Sequence, residues 1–280
     1  MKRIVIFGSS GFIGSELSKH FKNLGLQVIE LAKSSTTPID YNQPETYAKF
    51  IQENDYIIHL VSPKEIDEEA HLKSTKFLLK ICADKKISHF LYISTGGALY
   101  GHGKNAWNEE DEAHPISPYG KFKKLMENEL KLLCSEFNIP LAIARPSNIY
   151  GENQNPLRHF GAVTTFYHQI KNNLPITIYG DLDISKDFLH VSDLIDALST
   201  LLLEKKTGIF NLALGVNHTL GEVIHEIENA LDKKAQINFK PFNPNDITFF
   251  RLDNSKAKKE LDWNPKIHLK EGILRYKGKI

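Results

Sequence analysis

Two spacings of apolar residues alternate along the first 150 positions. "KRIVIFG" is a short, β-branched apolar run closed by a glycine, which predicts a buried strand. "SELSKHFKNLG" then carries apolar residues at helical spacing, with Gly25 where a C-capping glycine belongs. The alternation repeats: "QVIEL" as strand, "TYAKFIQEN" as helix, "YIIHLV" as strand, "LKSTKFLLKICADKK" as helix and "HFLYIS" as strand. A long amphipathic stretch, "YGKFKKLMENELKLLCSEF", leads into a further strand, "PLAIARP". Strands apolar throughout, separated by helices, predict an α/β protein with a doubly wound parallel sheet. After Tyr150 the pattern loosens. "NQNPLRHFG" reads as a polar loop, "PITIYG" as a short strand and "FLHVSDLIDALSTLLLEK" as a strand end feeding a helix. "GIFNLAL" and "AQINFKPF" read as strands, and "SKAKKELDWNP" as a helix ended at a proline.

Composition narrows the picture mainly by exclusion. A chain of 280 residues that is 41% hydrophobic can bury a large core, in one domain or two. Its net charge of +1 gives no electrostatic footprint for nucleic acid or an anionic membrane. The acidic run Glu109 to Glu112 reads as a solvated loop. Cys82 and Cys134, the only cysteines, lie in helical contexts and read as small core residues. No metal-ligand spacing is found among the cysteines and histidines. With no signal peptide and no apolar run of spanning length, a soluble cytoplasmic protein is expected.

"IVIFGSSGFIGSEL" places Gly8, Gly11 and Gly14 between a predicted strand and a predicted helix. Glycines there allow a tight turn, a close backbone approach to a pyrophosphate and close helix–sheet packing, while the helix N-terminus faces the anion. Ser10, Phe12 and Ile13 complete the turn and are candidate cofactor contacts. The expected organisation is a dinucleotide-binding Rossmann domain over residues 1–150, with 188–215 returning to it. A smaller C-terminal substrate-binding cap is expected over 151–187 and 216–280.

"SPYGKFKKL" supplies Tyr119 and Lys123, four apart and so on one helix face. A phenol can pass a proton to or from a substrate oxygen if a neighbouring ammonium draws its pKa toward neutrality. Ser94 and Thr95 in "YISTGGALYG" stand at the carboxyl end of a predicted strand, where open α/β sheets place their sites. A hydroxyl there can donate to a substrate oxygen.

The GxxGxxG turn together with YxxxK resembles the short-chain dehydrogenase/reductases. The resemblance is to their extended form, the UDP-glucose 4-epimerase-like nucleotide-sugar epimerase/dehydratases. It runs nearly end to end, through "DYIIHLVSP", "ARPSNIYGENQNP", "PITIYGDLDISKDFLHVSDLIDAL", "IFNLALG" and "AKKELDWNPKIHLKEGI". The resemblance implies Tyr119 as acid/base, Lys123 as its activator and Thr95 as hydroxyl partner, with Ser94 as the alternative. It implies Asp40 near the adenine and Leu60, Val61 and Ser62 along the cofactor. Pro146 would lie near the nicotinamide and Asn148 near a sugar diphosphate. The chain departs from the family pattern in three places. Matching on "YG" without a gap puts Gly96 at the hydroxyl position. Asn243 stands in the region where an arginine often meets the diphosphate. Lys186 replaces the usual arginine in "SKDF" and offers a point charge without a fork. Arg251 and Arg158 are further candidates for the diphosphate.

The second predicted strand ends in "ELAKSST", with no acid at Ala32 to accept bonds from a ribose. Lys33, Ser34 and Ser35 offer a cation and hydroxyl donors instead, so NADP is the favoured cofactor and NAD the alternative. Dehydration needs acidic neighbours beside the hydroxyl, and here they are Gly96, Gly97 and Ala98. An NADPH-dependent reductase of a nucleotide-linked 4-keto-6-deoxyhexose is favoured over an NAD-dependent 4-epimerase. A dinucleotide-binding sensor without chemistry is the reading from another class. The stripe in "LMENELKLLCSEF" suits a helical homodimer interface or internal packing alike.

Overall fold

The computed structural model describes residues 2–35, 37–62, 67–102, 106–158, 161–242 and 246–279. The first elements are β1 (Arg3–Phe7), α1 (Phe12–Asn23), β2 (Gln27–Ala32), β3 (Thr37–Pro38), β4 (Tyr56–His59) and α2 (Glu68–Asp84). Next come β5 (His89–Ile93), α3 (Pro118–Glu136), β6 (Leu141–Pro146), β7 (Asn148–Tyr150), α4 (Ala162–Lys171), β8 (Ile176–Tyr179) and β9 (Ser185–His190). The chain continues through α5 (Val191–Leu203), β10 (Gly208–Leu212), β11 (Asn217–Thr219), α6 (Leu220–Leu231) and β12 (Ile237–Lys240). It closes with β13 (Phe249–Phe250), α7 (Ser255–Leu261) and α8 (Leu269–Leu274).

Seven strands form one sheet in the order β10-β6-β5-β4-β1-β2-β3. β1 pairs in parallel with β2 and β4, β2 with β3, β4 with β5, and β5 with β6. The strand order reverses at β1 and β4, the switch point where doubly wound sheets bind ligands. Ile4 to Phe7 are fully buried, as the apolar run required. Helices α2 and α3 bury Leu78, Leu79, Cys82, Phe122, Met126 and Leu130 in the same core. Both cysteines are free and buried. No helix among the described residues is long and apolar enough to cross a membrane.

The chain divides into two compact units. The first comprises Met1–Thr95, Pro118–Arg145 and Ile195–Phe210, and the second Gly96–Ser117, Pro146–Leu194 and Asn211–Ile280. This division differs from the expected boundary at 150. Residues 96–117 go with the second unit because Leu99, Tyr100 and Trp107 pack with Phe250 and Leu252. The returning segment narrows to Ile195–Phe210, and the second unit is no smaller than the first. Within the second unit β9 pairs with β7, β11 and β13, while β8 pairs with β12. Its core gathers α4, α6 and α8 through Val163, Phe166, Val223, Ile227 and Ile273.

Two local expectations are corrected. "TYAKFIQEN" forms no α-helix: one 3₁₀ turn, Pro44–Thr46, ends on its first residue and a second, Ala48–Phe50, lies within it, and Tyr47 and Ile51 beside them enter the core. Glu109 is not a solvated residue: its carboxylate accepts from Asn211 N at 2.7 Å, and burial raises its pKa.

Candidate active site

The glycine turn is built for a close neighbour. Gly8 has φ +87°, and a Cβ there would meet the Leu60 carbonyl carbon at 3.1 Å. A Cβ on Gly14 would stand 2.3 Å from Gly8 O and 2.8 Å from Ser9 Cα, so only glycine lets α1 begin this close to β1. No side chain caps α1, whose N-cap is Gly11, and the first-turn N–H groups at Phe12, Ile13 and Gly14 remain available to an anion. Leu60 N donates to Phe7 O at 2.9 Å, which sets Leu60 and the following Val61 and Ser62 beside the turn. These residues suit a dinucleotide pyrophosphate.

The end of β2 holds no carboxylate. Glu30, two positions before Ala32, is engaged by Lys22 at 2.9 Å. Ser34 Oγ donates to Ser10 Oγ at 3.0 Å, joining the two loops, and Lys33 beside it is exposed. Ser35 is not a spare donor: its Oγ accepts from Ala32 N and donates to Ala32 O, both at 3.0 Å, closing the turn. Asp40 accepts from Asn42 N at 3.0 Å and so caps its own turn.

Helix α3 brings Tyr119 and Lys123 onto one face, as their spacing required. Tyr119 remains 41% exposed, whereas Lys123 is 3% exposed. Lys123 Nζ donates to Ile93 O at 2.9 Å and to Tyr92 Oη at 3.2 Å. It stands over the Tyr119 ring, 5.8 Å from the centroid. Burial draws Lys123 down to about 8, against the pull of Glu127. Desolvation pushes the Tyr119 phenol up to about 12. The expected lowering of the phenol by the lysine is therefore not what this geometry produces; desolvation sets the direction instead.

Thr95 is half-buried at the end of β5, and its hydroxyl is engaged by no described residue. Ser94 is corrected as the alternative hydroxyl: it turns inward and donates to Glu127 Oε1 at 2.5 Å. Glu127 in turn takes Arg145 Nη2 at 2.6 Å and Arg145 Nε at 3.0 Å. Sequence reasoning passed over Glu127, although it lies four residues beyond Lys123 on the same face, and over Tyr92, whose place in a buried strand looked like ordinary core.

The second unit holds the remaining candidates. Pro146 O accepts from Gly96 N at 2.7 Å. Asn148 Nδ2 donates to Asp187 O at 2.9 Å. A Cβ on Gly97 would lie 3.4 Å from Asn148 Oδ1. Asn148 and Lys186 both line a cavity of about 350 Å³, with Phe166, Tyr179 and Asp246 on its wall. Burial lowers the Lys186 pKa, and Asp246 opposes it. Asp187 is fully buried and accepts from Ser147 Oγ at 2.8 Å, Leu214 N at 3.0 Å and Gly215 N at 2.6 Å. Arg251 is not on the cavity wall; its carbonyl accepts from Trp107 N at 3.0 Å, and its charge acts on Asp187 and Asp253. Arg158 ends the short Pro156–Arg158 turn, its side chain lying outside the described residues, as Asn243 does entirely.

Comparison with known proteins adds three likenesses. Residues 4–213 match the profile of the NAD dependent epimerase/dehydratase family. The dTDP-4-dehydro-6-deoxyglucose reductase of Escherichia coli is 27% identical over 96% of this chain and 95% of its own length. A putative UDP-glucose 4-epimerase of Methanocaldococcus jannaschii is 28% identical over 97% of this chain and 96% of its own. Among solved structures, the UDP-glucose 4-epimerase of Thermus thermophilus in complex with NAD superposes with a TM-score of 0.91. It is 25% identical and covers 99% of this chain and 100% of its own.

Proposed function

The chain belongs to the NAD dependent epimerase/dehydratase family and is an enzyme of its extended short-chain dehydrogenase/reductase type, and from that premise we propose that it is an NADPH-dependent reductase. Its substrate is a 4-keto-6-deoxyhexose carried on a nucleoside diphosphate. The observation that carries this reading is the geometry on α3: the exposed Tyr119 phenol lies one turn before the buried Lys123 ammonium, which stands 5.8 Å from the centroid of its ring. The nicotinamide supplies the hydride when bound. Tyr119 gives its proton to the C4 oxygen as that oxygen gains charge, Thr95 donates a hydrogen bond to the same oxygen, and Lys123 offsets the charge left on the phenol.

The cofactor preference rests on the end of β2. Ala32 has no carboxylate to repel a 2′-phosphate, Glu30 is occupied by Lys22, and Lys33 with Ser34 and Ser10 offers a cation and hydroxyls. Gly8, Gly11 and Gly14 take the pyrophosphate, with Leu60, Val61, Ser62 and Pro146 along the rest of the cofactor. Lys186 and Asn148 take the substrate diphosphate in their cavity. Gly96, Gly97 and Ala98 leave no acid for a dehydratase. The reductase among the relatives supports this reading. A 4-epimerase is the second reading, favoured by the NAD-bound structure of the Thermus enzyme.

Two assays separate the readings. A reductase oxidises NADPH stoichiometrically with a 4-keto-6-deoxy nucleotide sugar. An epimerase interconverts C4 epimers of a UDP-hexose with no added cofactor, and that outcome would overturn the proposal. Tyr119→Phe should lower turnover by about 10²–10⁴ with cofactor still bound; unchanged turnover removes the tyrosine from the chemistry. A homodimer through α2 and α3 is part of this reading. Leu72, Phe77, Leu133 and Phe137 line an apolar groove there, together with Lys73, Lys76, Lys80 and Glu69, and a second copy would cover its apolar part. A monomeric mass in sedimentation would refute it.

A further inference from the structure

The Lys123 ammonium stands among five titratable side chains. Tyr119 and Glu127 face it from α3, Tyr92 from β5, His59 from β4 and His71 from α2. Only one of these five takes a hydrogen bond from it. An ammonium has three N–H donors; one goes to Ile93 O at 2.9 Å and one to Tyr92 Oη at 3.2 Å. The same ammonium lies 4.8 Å from the centroid of the Tyr92 ring, at its phenolic end, so the oxygen is what holds it. Tyr92 is itself locked: it is fully buried, and its ring packs 5.6 Å from that of His59. Burial raises the Tyr92 pKa well above its ordinary value, so the oxygen stays a neutral acceptor. His59 and His71 are both held neutral by burial and by the Lys123 charge. No second cation therefore competes for the site.

We propose that Tyr92 is a positioning residue for hydride transfer: its phenol anchors the Lys123 ammonium beneath Tyr119 and so fixes where that charge acts. This rests on the reading of Tyr119 and Lys123 as the acid/base pair. Ile93 contributes only a backbone carbonyl, which every residue at that position would offer. Tyr92 is the sole side chain bonded to the ammonium among the described residues, and it supplies what a phenylalanine of the same shape would lack.

The test is Tyr92→Phe in the full-length protein, which keeps the ring and removes one oxygen. Lysine-labelled protein followed by NMR reads the Lys123 titration directly, without substrate, with Lys123→Arg identifying the resonance. Loss of the acceptor disfavours the charged form, so the midpoint should fall by about one pH unit, equivalent to about tenfold. Turnover on the plateau should fall about tenfold, and the alkaline limb of kcat against pH should start about one unit earlier. A midpoint that does not move overturns the proposal, and so does a moved midpoint with an unchanged pH profile. If the wild-type protein turns over no nucleotide sugar, the reaction assigned above fails by itself, and the midpoint alone decides whether Tyr92 anchors the lysine.

Discussion

The buried carboxylate under the Tyr–Lys pair lends itself to a quantitative test. Glu127 and Arg145 are 2% and 5% exposed, and their shortest contact is 2.6 Å. Glu127→Gln keeps the shape but removes the carboxylate charge that faces the Arg145 guanidinium in a dry site. Breaking such a pair from one side costs about 3–5 kcal/mol. For a chain of this size about 1 kcal/mol moves the midpoint of thermal unfolding by roughly 2–4 °C, so a fall of about 10 °C is expected. Ser94→Ala removes only one donor to the same carboxylate and should cost about 1.5–3 kcal/mol, the range for a hydrogen bond to a charged group. Because both changes act on one oxygen, Glu127 Oε1, the double variant should lose less than the two single losses added. Denaturant unfolding followed by circular dichroism measures all three. A loss below about 1 kcal/mol for Glu127→Gln would refute the reasoning, as would strict additivity, because either result means that no dry, shared charge site exists.

Three further outcomes follow from the geometry. Gly14→Ala puts a methyl 2.3 Å from Gly8 O, so α1 must retreat from β1; cofactor affinity by calorimetry should fall about 10–100-fold, from about 1–3 kcal/mol of strain, and unchanged affinity would deny the turn its role. His71 is buried and drawn down to about 4. Its neutral form therefore supports the fold above its unfolded value near 6.5, and that support, about 3 kcal/mol, is lost as pH falls from 6.5 toward 4. In His71→Leu the slope of stability against pH across that window should flatten, and an unaltered slope contradicts the assignment. Lys186→Met keeps the stem and removes the charge from the cavity; KM for the nucleotide sugar should rise about tenfold or more with kcat little changed, and an unchanged KM places the diphosphate elsewhere.

Much of the site could be read from spacing alone. The glycine turn, the Tyr119–Lys123 pair and the missing acid at Ala32 all follow from local order, since each depends on residues within one strand, one turn or one helix face. Other features had a local signal that went unused. Thr219 and Glu222 form a capping box that announces α6, and Glu127 continues the Tyr119–Lys123 face by one more turn. Long-range features had no such signal. "TYAKFIQEN" looks helical by spacing, yet only the single turn Ala48–Phe50 forms within it, with Tyr47 and Ile51 on either side taken into the core. Ser94 and Thr95 are neighbours with similar side chains, yet Glu127 on another element takes one and leaves the other.

By itself the chain's order of residues determined the parallel α/β architecture, the glycine turn at its switch point and the shared helix face of Tyr119 and Lys123. Period and turn chemistry are properties of neighbouring residues, and so they survive without a third dimension. What the tertiary structure alone decided is which groups are dry and which are joined. Lys123 rests on Tyr92, Ser35 is used up in its own turn, residues 96–117 group with the second unit, and Arg251 does not line the cavity that Asn148 and Lys186 share. Burial and partnership depend on what the rest of the chain brings to a point in space, and no stretch of sequence carries that information alone.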